Sequence, residues 1–201
     1  MIDHLHSIWN IESKHICSDV FTGYESVYEE LDSHTVETYN ADPAGTIESV
    51  FDIYREIGLT PITYFTEAGL TARVREVQKL SYNGVKNNRI NLGNNRGQEI
   101  SRFVFPNMMT AEPKGRGSNS LKDRFLDDAK LKRAIRICFE FREGNHLVYP
   151  TAMRRALELV TGENVQNFKN QNARAIAEHL CPVMFGNIYD YSAGYGGRLL
   201  G

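Results

Sequence analysis

The residues whose types and spacing could do chemistry lie near the end of the chain. Asp190-Tyr191-Ser192-Ala193-Gly194-Tyr195-Gly196-Gly197 has the form Asp-x-Ser-x-Gly-x-Gly. Glycines at 194, 196 and 197 let a chain turn sharply at the end of a strand and present bare backbone amides to a ligand, which is what nucleotide-like cofactors require. Residues 187–191 read as a short strand entering that turn. A helix over 171–180, stopped by Cys181-Pro182, comes before it. The order is helix, strand, glycine-rich turn. The plainer reading of the same string is a tight turn without a ligand, with Asp190 as its cap.

A nicotinamide-binding fingerprint carries its acid about twenty positions after the glycines, on a second strand, whereas here the acid closes the first strand. A P-loop is excluded, because neither Gly-Lys-Ser nor Gly-Lys-Thr occurs. What remains resembles motif I of the Rossmann-like S-adenosylmethionine (SAM) methyltransferases, an acidic-x-Gly-x-Gly-x-Gly loop that cradles the amino-acid part of the cofactor. Ser192 stands where that family usually has its first glycine. DNA methyltransferases commonly relax the position, in strings such as Asp-Pro-Phe-x-Gly-x-Gly, and the 190–201 string is most similar to methylase-like proteins of phages and bacteria. The resemblance implies SAM as cofactor, with Asp190, Ser192, Ala193, Gly194, Gly196 and Gly197 around it. Upstream, Asn167-Phe168-Lys169 followed by 173–180 resembles the polar and aromatic signature that precedes motif I in amino-methylating DNA methyltransferases. This implies Phe168 and Lys169 as further cofactor contacts, with Asn170 in place of the expected proline. The match covers residues 167–201; Arg96-Gly97-Gln98 and Phe105-Pro106-Asn107 are fainter echoes of the same group.

Methylation of an exocyclic amine needs an Asn/Asp-Pro-Pro-Tyr/Phe motif, whose polar groups accept from the amine while the ring stacks on an extruded base. The sequence has no Pro-Pro dipeptide. Nor does it have a second strand ending in an acid for the cofactor ribose, and one parallel strand alone makes no sheet. The expectation is therefore an N-terminal part of a longer methyltransferase, reaching motif I but holding no catalytic residue. Such a piece would be inactive alone and would have negligible SAM affinity. The expected fold is a mostly helical region over 1–160, followed over 161–201 by the opening of a Rossmann-like α/β domain. Two other readings stay open: a non-catalytic nucleic-acid-binding module, and a structural protein of a phage or mobile element.

Charge bears on the partner. Residues 1–70 hold thirteen acidic side chains against Lys14 and Arg55, a net of -11, whereas residues 71–201 hold 21 basic against 12 acidic, a net of +9. A basic stretch of this size suggests a surface that meets polyanions, DNA first among them, although solvated helix faces of opposite sign would give the same count. The segment 112–120, Glu-Pro-Lys-Gly-Arg-Gly-Ser-Asn-Ser, is basic, glycine-rich and without apolar anchors. With the following helix it nominates Lys114, Arg116, Lys132 and Arg133 as phosphate contacts.

The elements that must position these residues are mostly helical. Asp42-Pro43 is an N-cap with proline in the first helical position, and Ile47, Val50, Phe51, Tyr54 and Ile57 follow at helical spacing up to Gly58. A second helix is expected over 66–80, with Leu70, Val74, Val77 and Leu80 inward and Arg73, Arg75 and Lys79 in solvent. Residues 82–97 read as a loop and 100–105 as a short strand stopped by Pro106. One helix over 120–143 carries Leu121, Phe125, Leu131, Ile135 and Cys138, with Lys130, Lys132, Arg133 and Arg136 clustered on it. Thr151 caps the next helix, whose core face is Met153, Ala156, Leu157 and Val160.

The composition of the 201 residues, 41% hydrophobic and 24% charged, is that of a globular protein and excludes disordered, collagen-like and disulfide-scaffold classes. No 18-residue apolar run occurs, and Met1-Ile2-Asp3-His4-Leu5-His6 lacks the form of a signal peptide, so a cytoplasmic protein without membrane attachment is expected. Cys17, Cys138 and Cys181 read as buried free thiols, and His4, His6 and His15 as surface polar residues rather than a metal site.

Overall fold

A computed structural model describes residues 20–63, 65–79, 85–86, 89–90, 97–113, 119–141 and 144–161. Helix dominates them, as expected for this part of the chain. The described residues within Met1–Thr63 and Met109–Val165 form one compact unit, and those within Tyr64–Met108 another.

The first unit contains α1 (Val20–Asp32), α2 (Val36–Ala41), α3 (Pro43–Glu56), α6 (Leu121–Leu126), α7 (Asp128–Glu140) and α8 (Pro150–Thr161). Local chemistry sets their starts. Thr35 and Thr38 form a reciprocal capping box at α2, Thr35 Oγ1 accepting from the Thr38 amide and Thr38 Oγ1 from the Thr35 amide at 2.9 Å. The Asp42 carboxylate accepts the Gly45 amide at 2.9 Å, and Pro43 occupies the first turn of α3, as the sequence predicts. Gly45 suits this cap because a Cβ there would collide with the Asp42 carboxylate. The helix ends at Glu56 and the chain leaves through Gly58, whose φ of 70° belongs to the left-handed region.

The core of this unit is built where α8 packs on α7 and α7 on α3. Val50, Ile53 and Tyr54 come from α3, Leu131, Ala134, Ile135 and Cys138 from α7, and Ala152, Met153, Ala156 and Leu157 from α8, all buried. Each large aliphatic side chain buried in this way contributes about 1.5–3 kcal/mol. Tyr54 keeps its polar end satisfied by donating to the Val148 carbonyl at 2.7 Å. Cys138 is a buried thiol outside any disulfide, as expected; Cys17 and Cys181 lie outside the described residues.

The second unit contains α4 (Glu67–Lys79), the antiparallel two-residue strands β1 (Val85–Lys86) and β2 (Arg89–Ile90), and α5 (Gln98–Val104), followed by a 3₁₀ turn at Pro106–Met109. Thr66 Oγ1 accepts the Gly69 amide at 3.0 Å and so starts α4. Only Val77 of α4 is fully buried. Arg73 is not left in solvent but pairs with Glu76 on its own helix and with Glu99 of α5 at 2.7 Å.

The described fold departs from the sequence expectations at four further places. Residues 100–105 are not a strand but lie mostly in α5. Ile100 and Phe103, three apart, are buried together, Arg102 donates to Gln98 four residues back, and the helix stops just before Pro106. The expected helix over 120–143 is two helices. At Asp127 the backbone turns extended (φ -81°, ψ 111°), and its carboxylate accepts the Lys130 amide at 3.0 Å as the N-cap of α7. Thr151 is not the cap of α8, because Pro150 already holds the first helical position; its hydroxyl instead meets that of Thr63 at 2.7 Å. The loop expected over 82–97 contains the β1–β2 pairing.

Candidate functional site

The glycine-rich string lies outside the described residues. This holds for Asp190, Ser192, Ala193, Gly194, Gly196 and Gly197, and likewise for Phe168, Lys169, Lys114, Arg116 and the three N-terminal histidines. Lys132 and Arg133 are described, both on α7.

They stand on one face of that helix. Ala129, Lys132, Arg133, Arg136, Ile137 and Glu140 recur at intervals of three and four, and this stripe lines one side of a trough of about 860 Å³. Ala44, Ile47 and Glu48 of α3 form the other side, and Phe141 and Leu159 lie along it. The opposite face of α7 carries Leu131, Ala134, Ile135 and Cys138 into the core, so the trough is fixed to the best-packed part of the unit.

The two nominated cations behave differently. The Lys132 ammonium stands 2.7 and 2.6 Å from the two carboxylate oxygens of Glu48 and 4.4 Å from the centre of the Phe51 ring, bridging α7 to α3. A phosphate that took Lys132 would have to displace Glu48. Arg133 is exposed and has no ion pair among the described residues. Arg136, one turn on, is also exposed, and its charge acts on the Tyr39 hydroxyl. That hydroxyl donates to Glu140 at 3.3 Å, and the Tyr39 ring stacks on Phe139 at 4.8 Å. Burial, reinforced by the Glu140 charge, raises the Tyr39 pKa, with Arg136 opposing.

Arg55 is the structural counterpart of these cations. Its guanidinium donates to the Phe125 carbonyl and to Asp128, both at 2.8 Å, and lies 5.1 Å from the centres of the Phe51 and Phe125 rings. It ties α3 to the junction of α6 and α7. Arg124 is fully buried and donates to the Asn119 and Leu157 carbonyls.

A second polar cluster lies at the end of α1. Asp32 accepts from the Tyr149 hydroxyl at 2.7 Å and from His146 Nδ1 at 3.0 Å, and the two rings stand 4.3 Å apart. A carboxylate only accepts, so Nδ1 carries the proton of that bond. His146 has a φ of 63°, a left-handed conformation costly for a residue with a Cβ. Burial first, then the hydrogen bond and charge of Asp32, push the Tyr149 phenol well above its ordinary pKa.

Among the described residues no group of His, Cys, Asp and Glu could hold a metal ion, and no helix is long and apolar enough to cross a membrane. The features the sequence reading missed are Glu48 as the partner of Lys132, and the exposure of Phe141 and Leu159. Helical spacing from Ala129 to Glu140 was the available signal for the trough. Compared with protein families, with characterised proteins and with solved structures, the chain matches none.

Proposed function

We propose that this chain belongs to a SAM-dependent DNA methyltransferase of the amino-methylating kind. The observation that carries the reading is the string from Asp190 to Gly197, in which an acid at the end of a strand-like run is followed by glycines at 194, 196 and 197. In this reading residues 187–191 are the first strand of a Rossmann-like domain, Asp190 accepts from the cofactor's ammonium group, and the glycines let the backbone approach the cofactor without a Cβ in the way. Ser192 and Ala193 complete the turn, with Phe168 and Lys169 reaching the cofactor from upstream. The methyl group comes from SAM; the Asn/Asp-Pro-Pro-Tyr/Phe element that receives the target amine is not in these 201 residues. The helical part contacts DNA, in the cytoplasm, through Lys114, Arg116 and the exposed Arg133.

The test is calorimetry with SAM on the protein as its gene encodes it, with Asp190→Ala and Gly194→Val beside the natural sequence. Binding lost in both variants supports the reading, and indifference to both removes it. Exposed Arg133, without an ion pair among the described residues, favours a second reading, a nucleic-acid-binding module without catalysis. Salt-dependent DNA binding without any SAM affinity would distinguish it.

A further inference from the structure

The trough beside α7 has a use that the methyltransferase reading does not supply. Its floor is apolar: Ala44 and Ile47 on α3 face Ala129 and Ile137 on α7. Leu159 is 57% exposed and Phe141 74%, the highest values among the large hydrophobic side chains of the described residues, and both flank this trough. Single exposed apolar residues are ordinary on a protein surface, but two of this size beside one apolar trough form a patch of the kind a partner covers.

Charge selects the partner. Three basic residues line the trough, against Glu48 and Glu140. Lys132 is paired with Glu48, and Glu140 accepts from the Tyr39 hydroxyl but keeps its charge. The charge left at the rim is net positive: Arg133 and Arg136, one turn apart, against Glu140. A nucleic-acid backbone would find here two arginines, two carboxylates and an apolar floor, a poor match to a chain of phosphates. An amphipathic helix fits better, because it brings an apolar stripe to the floor and acids to the two arginines. A second copy of this chain cannot offer α1, the acidic helix of the same unit, since Val27 and Leu31 of α1 are already buried in their own unit.

We infer that the trough between α3 and α7 is a docking site for an acidic amphipathic helix of a partner protein. Its apolar residues cover Phe141 and Leu159 and its carboxylates pair with Arg133 and Arg136. The site stands independently of SAM binding; Arg133 is shared with the DNA contact of the proposed function, so the helix and a DNA backbone compete for it.

The probe is a fluorescein-labelled synthetic helix of about five turns, with leucines at i, i+3, i+4 and i+7 and glutamates on both flanks. Its copy has lysine for every glutamate. Anisotropy titrations and amide chemical-shift mapping are run with the full chain. The expected result is that the acidic peptide binds about tenfold more tightly than its basic copy and shifts the amides of 129–141 and Leu159. Phe141→Ser and Leu159→Ser, both at exposed positions that leave the core untouched, should weaken binding about fivefold or more, and Arg133→Glu about tenfold. Circular dichroism checks that each variant keeps its helix content. No binding, or equal binding of the two peptides, overturns the proposal. A single-stranded oligonucleotide that shifts the same amides more strongly assigns the trough to nucleic acid instead. Self-association abolished by Leu159→Ser assigns it to a second copy.

Discussion

Replacing Lys132 and Arg133 one at a time should separate a cation that holds the fold from one that meets a ligand. Lys132 is about one-third exposed and its partner Glu48 about half, so their ion pair is worth about 0.5–1 kcal/mol rather than the several expected of a dry pair. The ammonium over the Phe51 ring adds about 0.5–1 kcal/mol. Lys132→Ala should then cost about 1–2 kcal/mol in urea or thermal unfolding. Lys132→Met keeps most of the stem and should recover part of that loss. Arg133→Ala breaks no ion pair among the described residues and should stay within about 0.5 kcal/mol of the natural protein. With labelled duplex DNA the order reverses. Lys132 gains little by leaving Glu48 for a phosphate, so its removal should hardly change the slope of log affinity against log salt, whereas Arg133→Ala should reduce that slope by about 0.9. A Lys132→Ala protein of unchanged stability whose salt slope drops by a full phosphate contact would refute the reasoning.

Arg55→Lys should cost about 1–2 kcal/mol and Asp128→Asn markedly less, because Asp128 is 68% exposed while the Phe125 carbonyl and the two aromatic faces need the planar guanidinium; parallel urea melts compare them. Among the described residues Ser101 Oγ is buried without a hydrogen-bond partner, so Ser101→Ala should raise stability by up to about 1 kcal/mol, and a loss above that would contradict it. The raised Tyr149 pKa means that the folded state favours the protonated phenol. Its contribution is therefore complete below about pH 10, the unfolded value, and is lost as pH rises above it. Phenolate absorbance should show Tyr149 ionising late, after Tyr39, whose pKa is also raised, and Asp32→Asn should bring Tyr149 back toward the ordinary tyrosines.

Much of the helical part was legible because burial leaves a period in the sequence. Asp42-Pro43 marks the start of α3, and the spacing of Ile47, Val50 and Tyr54 marks its buried face; Leu131, Ile135 and Cys138 do the same for α7. Residues 100–105 misled because so short an apolar run fits either period, and what decides it is the pairing of Ile100 with Phe103 and of Arg102 with Gln98. Asp127 reads as one more polar residue within a helix until its side chain is seen capping α7. The polar partnerships were illegible for a different reason. Glu48 and Lys132 are 84 residues apart, and nothing in either neighbourhood says that packing α3 on α7 brings them together. Arg73 and Glu99 are the same case in the second unit. The sequence signal for the trough was complete on α7, but the exposure of Leu159 depends on which face of α8 the core takes.

The proposal that Asp190 to Gly197 takes SAM is tested most directly by calorimetry. An interaction such as Asp190 with the cofactor's ammonium group is worth about 1.5–3 kcal/mol, on the order of a tenfold to hundredfold in affinity. The protein as its gene encodes it should bind SAM with the loss of that factor in Asp190→Ala. In Gly194→Val, where under that proposal a side chain would occupy the cofactor's place, binding should be abolished. A protein that binds SAM equally well with either substitution, or not at all, would contradict the account.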